Sequence, residues 1–160
     1  MSKQYYHTDG YAARNSVGYL VKRAHGLILD AMEPAMAEHG LSFTQFAVLM
    51  SLRDNLAINP KDICTALRHD SGALTRVIDQ LEERGWVERK RSSSDRRAIE
   101  LHLTDGGREA LKSAIPVVVD NLNGSLRDFS HAEIEGLLRL LNKLVLGVQE
   151  QVTANARDGS

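Results

Sequence analysis

Apolar positions recur at helical spacing in the first and last thirds of the chain and switch to alternation only past its middle. Val17, Leu20, Val21, Ala24, Leu27, Ile28 and Ala31 share one helical face and predict a long first helix that Pro34 bends and Gly40 ends. Ser42-Phe43-Thr44-Gln45 has capping-box spacing and opens a second helix through Phe46, Val48, Leu49 and Leu52. Asn59 and Pro60 suit the cap and first position of a short helix with Ile63, Ala66 and Leu67 inside. After the Arg68-His69 turn, Asp70 or Ser71 can cap a further helix in which Leu74, Val77, Ile78 and Leu81 face inward, and Gly85 can stop it. The period then drops to two. Trp86, Val87 and Glu88 lead in, and Ile99, Leu101 and Leu103 alternate with Ala98, Glu100 and His102, which predicts a β-hairpin. Thr104 caps a return to helical spacing from about Asp105, in which Pro116 is expected to make a kink. Ser130-His131-Ala132-Glu133 is again a capping box, ahead of a stripe of Ile134, Leu137, Leu138, Leu141, Leu144, Val145, Val148 and Val152. Residues 153–160 lose the stripe and are expected to fray.

Two surfaces in this pattern carry candidate chemistry. The hairpin tip, Arg89-Lys90-Arg91-Ser92-Ser93-Ser94-Asp95-Arg96-Arg97, is longer than the usual connection of about two to five residues and is strongly basic. An ordinary solvated turn would also be charged, but a long Ser and Arg tip suits contact with phosphate. The helix before it turns Ser71, Gly72, Ala73, Thr75, Arg76 and Asp79 outward. Small side chains near a helix N-terminus allow close approach to a duplex, and hydroxyls there suit phosphates and base edges. Two short helices joined by a tight turn and followed by a hairpin make a winged helix-turn-helix.

Composition narrows the alternatives. The formal net charge is -1, so the positive charge is local, gathered at Arg84, Arg89, Lys90, Arg91, Arg96 and Arg97, which confines nucleic-acid contact to one face. No apolar run is long enough to span a bilayer, the start lacks the apolar core of a secretory signal, and a single cysteine fits a reducing compartment, so a cytoplasmic protein is expected. Nucleophile motifs, phosphate-binding glycine loops and metal-ligand spacings are absent from the sequence, and the six histidines are scattered. Neither an enzyme nor a metal or cofactor site is expected. With no linker or repeat, the 160 residues are read as one domain.

Across the wing, Asp95, Arg97, Leu101, Leu103, Thr104 and Gly107 stand at the spacing of a pattern found in the MarR family of bacterial transcriptional regulators. Ser71-Gly72-Ala73-Leu74-Thr75-Arg76, followed by Leu81-Glu82-Glu83-Arg84-Gly85-Trp86-Val87-Glu88-Arg89, resembles that family's recognition helix and first wing strand. The resemblance extends more weakly from about Tyr19 to Val148, and Cys64-Thr65-Ala66-Leu67 and Gly85-Trp86-Val87-Glu88-Arg89 look most like the multidrug-efflux repressor branch. It implies a mostly α fold with a small β-wing: a DNA-binding part over about 42–104, dimerisation helices over about 15–40 and 105–152, and a tail over 153–160. Periodicity alone leaves the last helix free to pack on its own domain or on a partner; the resemblance favours a partner.

The function implied is that of a sequence-specific regulator, most simply a repressor, that binds a near-palindromic operator as a homodimer in the bacterial cytoplasm and is released by a small aromatic or phenolic ligand. Arg97 resembles the arginine that the family inserts into the minor groove, with Asp95 fixing its direction. Ser71, Ala73, Thr75 and Arg76 are candidates for the major groove, and Lys90, Arg91 and Arg96 for phosphates. Arg89 is open between a phosphate contact and a pair with Glu82, Glu83 or Glu88, while strand alternation places Trp86 beneath the wing. Tyr11, Arg14, Tyr19, Arg23 and His25 are candidate linings for the ligand. Two alternatives stand beside this reading: a winged-helix module that binds protein without DNA, and a thiol-responsive regulator acting through Cys64.

Overall fold

The computed structural model describes residues 4–92 and 98–158. After a short 3-10 turn at Ala13–Asn15 come α1 (Val17–Ala37), α2 (Phe43–Arg53), α3 (Pro60–Leu67), α4 (Ser71–Glu83), β1 (Val87–Arg91), β2 (Ile99–Leu103), α5 (Asp105–Ser125) and α6 (His131–Asp158). The strands form a two-stranded antiparallel sheet, so the protein is mostly helical with a small β-wing. No helix among the described residues is long and apolar enough to cross a membrane.

Local signals set the helix starts. At α2 the capping box closes: the Gln45 N–H donates to Ser42 Oγ at 3.1 Å and the Ser42 N–H to Gln45 Oε1 at 3.0 Å. Gln45 is itself buried, and its amide donates to Gln80 Oε1 at 2.9 Å, which ties α2 to α4. Asn59 Oδ1 accepts the Asp62 N–H at 2.8 Å ahead of Pro60, whose missing N–H costs nothing at the first helical position. At the end of α4 the Trp86 N–H reaches the Leu81 carbonyl and the Gly85 N–H the Glu82 carbonyl, with Gly85 at φ +70°. That is a Schellman stop, and it needs the left-handed backbone that glycine adopts without strain.

The core draws on helices and wing together. Phe46, Val48, Leu49 and Leu52 of α2, Ile63 of α3, and Leu74, Ile78 and Leu81 of α4 pack with Val87, Leu101 and Leu103 of the wing. Met32 and Met36 of α1 and Leu111, Ala114 and Val118 of α5 complete the cluster. In α1 the burial falls near the C-terminal end, while the predicted stripe residues Val17, Leu20, Val21, Leu27 and Ile28 stay exposed in the single chain. Helical spacing identified the helix but could not say which apolar face this core would use.

The chain divides into two compact units, residues 1–121 and 122–160. The physical reason is visible in burial: every core residue lies in the first unit, and α6 buries no described side chain. The tail expected to fray from residue 153 is helical as far as Asp158. Loss of an apolar stripe does not end a helix; residues 153–158 contain neither Pro nor Gly, Ala154 and Ala156 are strong helix formers, and Arg157 in the last turn complements the helix dipole.

Candidate nucleic-acid interface

The start of α4 is built to be presented. Asp70 caps it, its Oδ1 accepting the Gly72 and Ala73 N–H groups at 3.0 Å each. Leu74, Ile78 and Leu81 are held in the core behind, so Ser71, Gly72, Ala73, Thr75 and Arg76 are exposed together. The Thr75 hydroxyl donates to the Ser71 carbonyl at 2.8 Å, which commits its proton inward and leaves its lone pairs outward. Arg76 has no ion pair among the described residues, so its guanidinium is available for a bidentate contact.

The wing is held against this helix from its root. Val87 pairs with Leu103, Arg89 with Leu101 and Arg91 with Ile99, all on one face, while Glu88 and Lys90 oppose His102 and Glu100 on the other. The Leu101 N–H also donates to the Ile58 carbonyl, at 2.6 Å, so the connection between α2 and α3 pairs with β2. Arg89 settles the question left by sequence. Its Nη2 meets Asp79 Oδ1 at 2.5 Å and its Nη1 meets Glu82, both on α4. Partial burial works against the charge, but the two carboxylates outweigh it and hold the guanidinium pKa above its ordinary value. Arg89 is thus a clamp between wing and helix.

The basic cluster read from sequence therefore separates into inward and outward members. Arg84 bonds the Gly40 carbonyl and lies 4.9 Å from the Trp86 ring centroid, so it too serves the fold. Trp86 is half-buried against the core, but not through strand alternation: it precedes β1, whose inward position is Val87. Lys90 is exposed but pairs with Glu88 at 2.5 Å, on a face that also carries Glu100. That makes it a weaker phosphate ligand than sequence implies, since binding DNA would exchange one partner for another. Arg91 is exposed at the end of β1. Asp95, Arg96 and Arg97 lie outside the described residues.

Replacing Arg89 with alanine would leave Asp79 and Glu82 facing each other one helical turn apart. The expected loss is about 1 kcal/mol, read as a lower urea midpoint, with Arg89→Met recovering part of it through its apolar stem. An unchanged midpoint would show that the clamp contributes nothing in water.

The model of the MarR family matches residues 41–99, which span α2, the α3-α4 pair and the first wing strand, ending at the first residue of the second. The Escherichia coli transcriptional repressor MprA is 32% identical over 120 residues, 74% of this chain and 68% of its own length. The chain belongs to the MarR family. Among solved structures, a mutant of MarR from E. coli complexed with operator DNA superposes with a TM-score of 0.68 at 29% identity, over 80% of this chain and 92% of that one. Bordetella bronchiseptica BpsR, described with regulation of its DNA binding by 6-hydroxynicotinic acid, has a TM-score of 0.72 at 26% identity over 84% and 96%. These relatives are transcriptional regulators and not enzymes. As a MarR-family member, the protein is a DNA-binding transcriptional regulator with a winged helix.

The ligand candidates of this MarR-family chain do not gather in one place. His25 lines a cleft of about 450 Å³ between α1, α2 and the α3-α4 turn, Tyr11 lines a different one near the 3-10 turn, and Arg14, Tyr19 and Arg23 are exposed. Sequence reasoning missed the residues that share the cleft with His25: Glu33, Phe43, Thr44, Arg68 and His69. Their spread from α1 to the turn before α4 leaves no local spacing to find. Inside it, Glu33 Oε1 accepts the Phe43 N–H at 3.2 Å, and Thr44 Oγ1 lies 3.4 Å from His69 Nε2. Arg68 has a left-handed backbone, φ +52°, at the very turn that sets up the Asp70 cap. Cys64 is half-buried, and its thiol donates to the His69 carbonyl at 2.9 Å, a structural tie across the same turn. Among the described residues no group of three or more His, Cys, Asp or Glu is arranged to hold a metal.

Proposed function

We propose that the protein is a cytoplasmic repressor that binds a near-palindromic operator as a homodimer and is released by a small aromatic or phenolic carboxylate. The observation that carries the DNA reading is the exposed start of α4, where Ser71, Ala73, Thr75 and Arg76 stand out from a helix whose other face is locked in the core. In this reading those four residues enter the major groove, Arg91 and Arg96 meet phosphates with Lys90 secondary to them, and Arg97, oriented by Asp95, enters the minor groove. The repressor role is supported by the likeness to MprA, and operator binding by the likeness to MarR. The DNA-binding part spans about 42–104, and the helices of about 15–40 and 105–152 serve dimerisation.

Release follows from the cleft beside the α3-α4 turn. Arg68 and the histidines can hold a carboxylate, while Leu29, Phe43 and Ala47 offer apolar contact to a ring. An occupant there bears on the residues that position the Asp70 cap, and so on the angle at which α4 is offered to DNA. The ligand class agrees with what is described for BpsR.

Arg97→Ala is expected to weaken operator binding by about 1 to 3 kcal/mol while the dimer persists. A gel-shift titration at fixed salt checks it, and unchanged affinity would remove Arg97 from the interface. A winged-helix module that binds protein only would show no affinity for random duplex at low salt. The DNA reading requires that affinity, with a steep fall as salt rises.

A further inference from the structure

The surface on which α4 is offered to DNA takes in part of α3, and that part carries a cation of its own. Ile63 of α3 is buried and Cys64 and Leu67 pack against the core, which leaves Lys61 and Thr65 exposed one helical turn apart on a single row. That row and the row of Ser71 and Thr75 on α4 line one cleft of about 230 Å³ together. Lys61 therefore shares an open surface with residues proposed to enter the major groove.

The polar groups of this surface divide into held and free. Thr65 Oγ1 donates to the Lys61 carbonyl at 3.0 Å and Thr75 Oγ1 to the Ser71 carbonyl at 2.8 Å, so both threonine protons stay within their own helices. The carboxylates adjacent in sequence are occupied as well. Asp62 Oδ2 accepts the Asn59 side-chain amide at 2.6 Å, and Asp70 Oδ1 accepts the Gly72 and Ala73 N–H groups at 3.0 Å each. The Lys61 ammonium is left exposed, with no ion pair or hydrogen bond among the described residues.

We propose that Lys61 holds a backbone phosphate of the DNA strand bordering the groove that α4 enters, and so fixes the register of that helix on the duplex. The inference rests on the proposed entry of α4 into the major groove. In a helix-turn-helix the first helix crosses the backbone while the second reads base edges, and α3 is the first helix of this pair. A compact ammonium on a flexible stem suits a phosphate oxygen and reads no base. α4 packs beside both α3 and β1, so Lys61 from one neighbour and Arg91 from the other tie it to the backbone.

The test compares Lys61→Gln with the wild type in gel shifts on an operator duplex selected from a random pool and on an unselected duplex of equal length, each titrated over salt. Expected is a loss of about fivefold per half-site near about 0.1 M salt, the same on both duplexes, with a salt slope lower by about one per half-site and recovery of both in Lys61→Arg. Full affinity in Lys61→Gln, or a loss confined to the selected operator, would overturn the contact. A methylphosphonate scan of the operator locates the phosphate: at one position in each half-site, neutralisation should weaken the wild type and cost Lys61→Gln nothing more. Additive losses at every position would overturn the contact too. Arg76→Ala tests the placement of α4 separately, since it should narrow the gap in affinity between selected and unselected duplexes. An unchanged gap would overturn that placement, whereas a narrowed gap beside an inert Lys61→Gln would overturn the role of Lys61 alone.

Discussion

Gly107→Ala is expected to destabilise the protein by about 3 kcal/mol, the upper end of what overpacking a core costs, although alanine is the better helix former by about 1 kcal/mol. A Cβ at Gly107 would lie 2.2 Å from the Trp86 carbonyl oxygen and 2.6 Å from Leu103 Cδ1. Neither neighbour can step aside. The Trp86 carbonyl accepts the Thr104 N–H at 3.1 Å, which closes the root of the wing, and Leu103 is buried in the core. Thr104 adds a second lock, its hydroxyl donating to the Gly85 carbonyl at 2.6 Å and accepting the Gly107 N–H at 3.1 Å. The first turn of α5 is therefore pressed onto the wing at a separation only glycine allows. Gly106→Ala, whose Cβ would stand 3.3 Å from the Gly85 carbonyl, should be much milder. Urea denaturation of both variants checks the contrast. Equal midpoints would mean that the close approach at residue 107 is relaxed in solution.

The same residues explain how much of the fold and the site was legible in sequence. In the pattern from Asp95 to Gly107, Leu101 and Leu103 are core, Thr104 is the lock and Gly107 the close approach. Four of its six positions are thus structural, and their spacing is set by strand alternation and one helical turn, which sequence displays directly. The caps at Ser42, Asn59, Asp70 and Ser130 were legible for a similar reason, since a cap acts within about three residues of itself. Charge was less legible. Nothing local says that Arg84 and Arg89 turn inward to the Gly40 carbonyl, Asp79 and Glu82 while Arg91 stays outside. The partners of Arg84 and Arg89 lie on other elements, and only register and packing bring them together. The clefts were least legible, because the cleft at His25 and Arg68 exists only once α1, α2 and the α3-α4 turn are assembled.

Charge placed on α6, as in the double substitution Leu141→Glu and Val145→Glu, is expected to convert the proposed dimer to monomer and to cost about a hundredfold or more in operator affinity. Ile134, Leu138, Leu141, Val145, Val148 and Val152 recur in alternating steps of four and three residues, the roughly 3.5-residue repeat of a seam between two helices. Within a single chain that seam is unsatisfied. Leu138 is 56% exposed and Val145 52%, in a helix that buries no described side chain. Burying such a side chain is worth about 1.5 to 3 kcal/mol, and a two-fold interface uses each position twice. Two carboxylates per chain would remove that gain and set like charges face to face. A monomer then holds one half-site, and the second recognition helix no longer adds its share of binding energy. The core of the first unit contains no α6 side chain, so its urea transition should survive the substitution and separate lost assembly from lost folding. Sedimentation equilibrium and a gel shift on the same preparation decide the matter: a variant that still sediments as a dimer with full affinity would place the interface elsewhere.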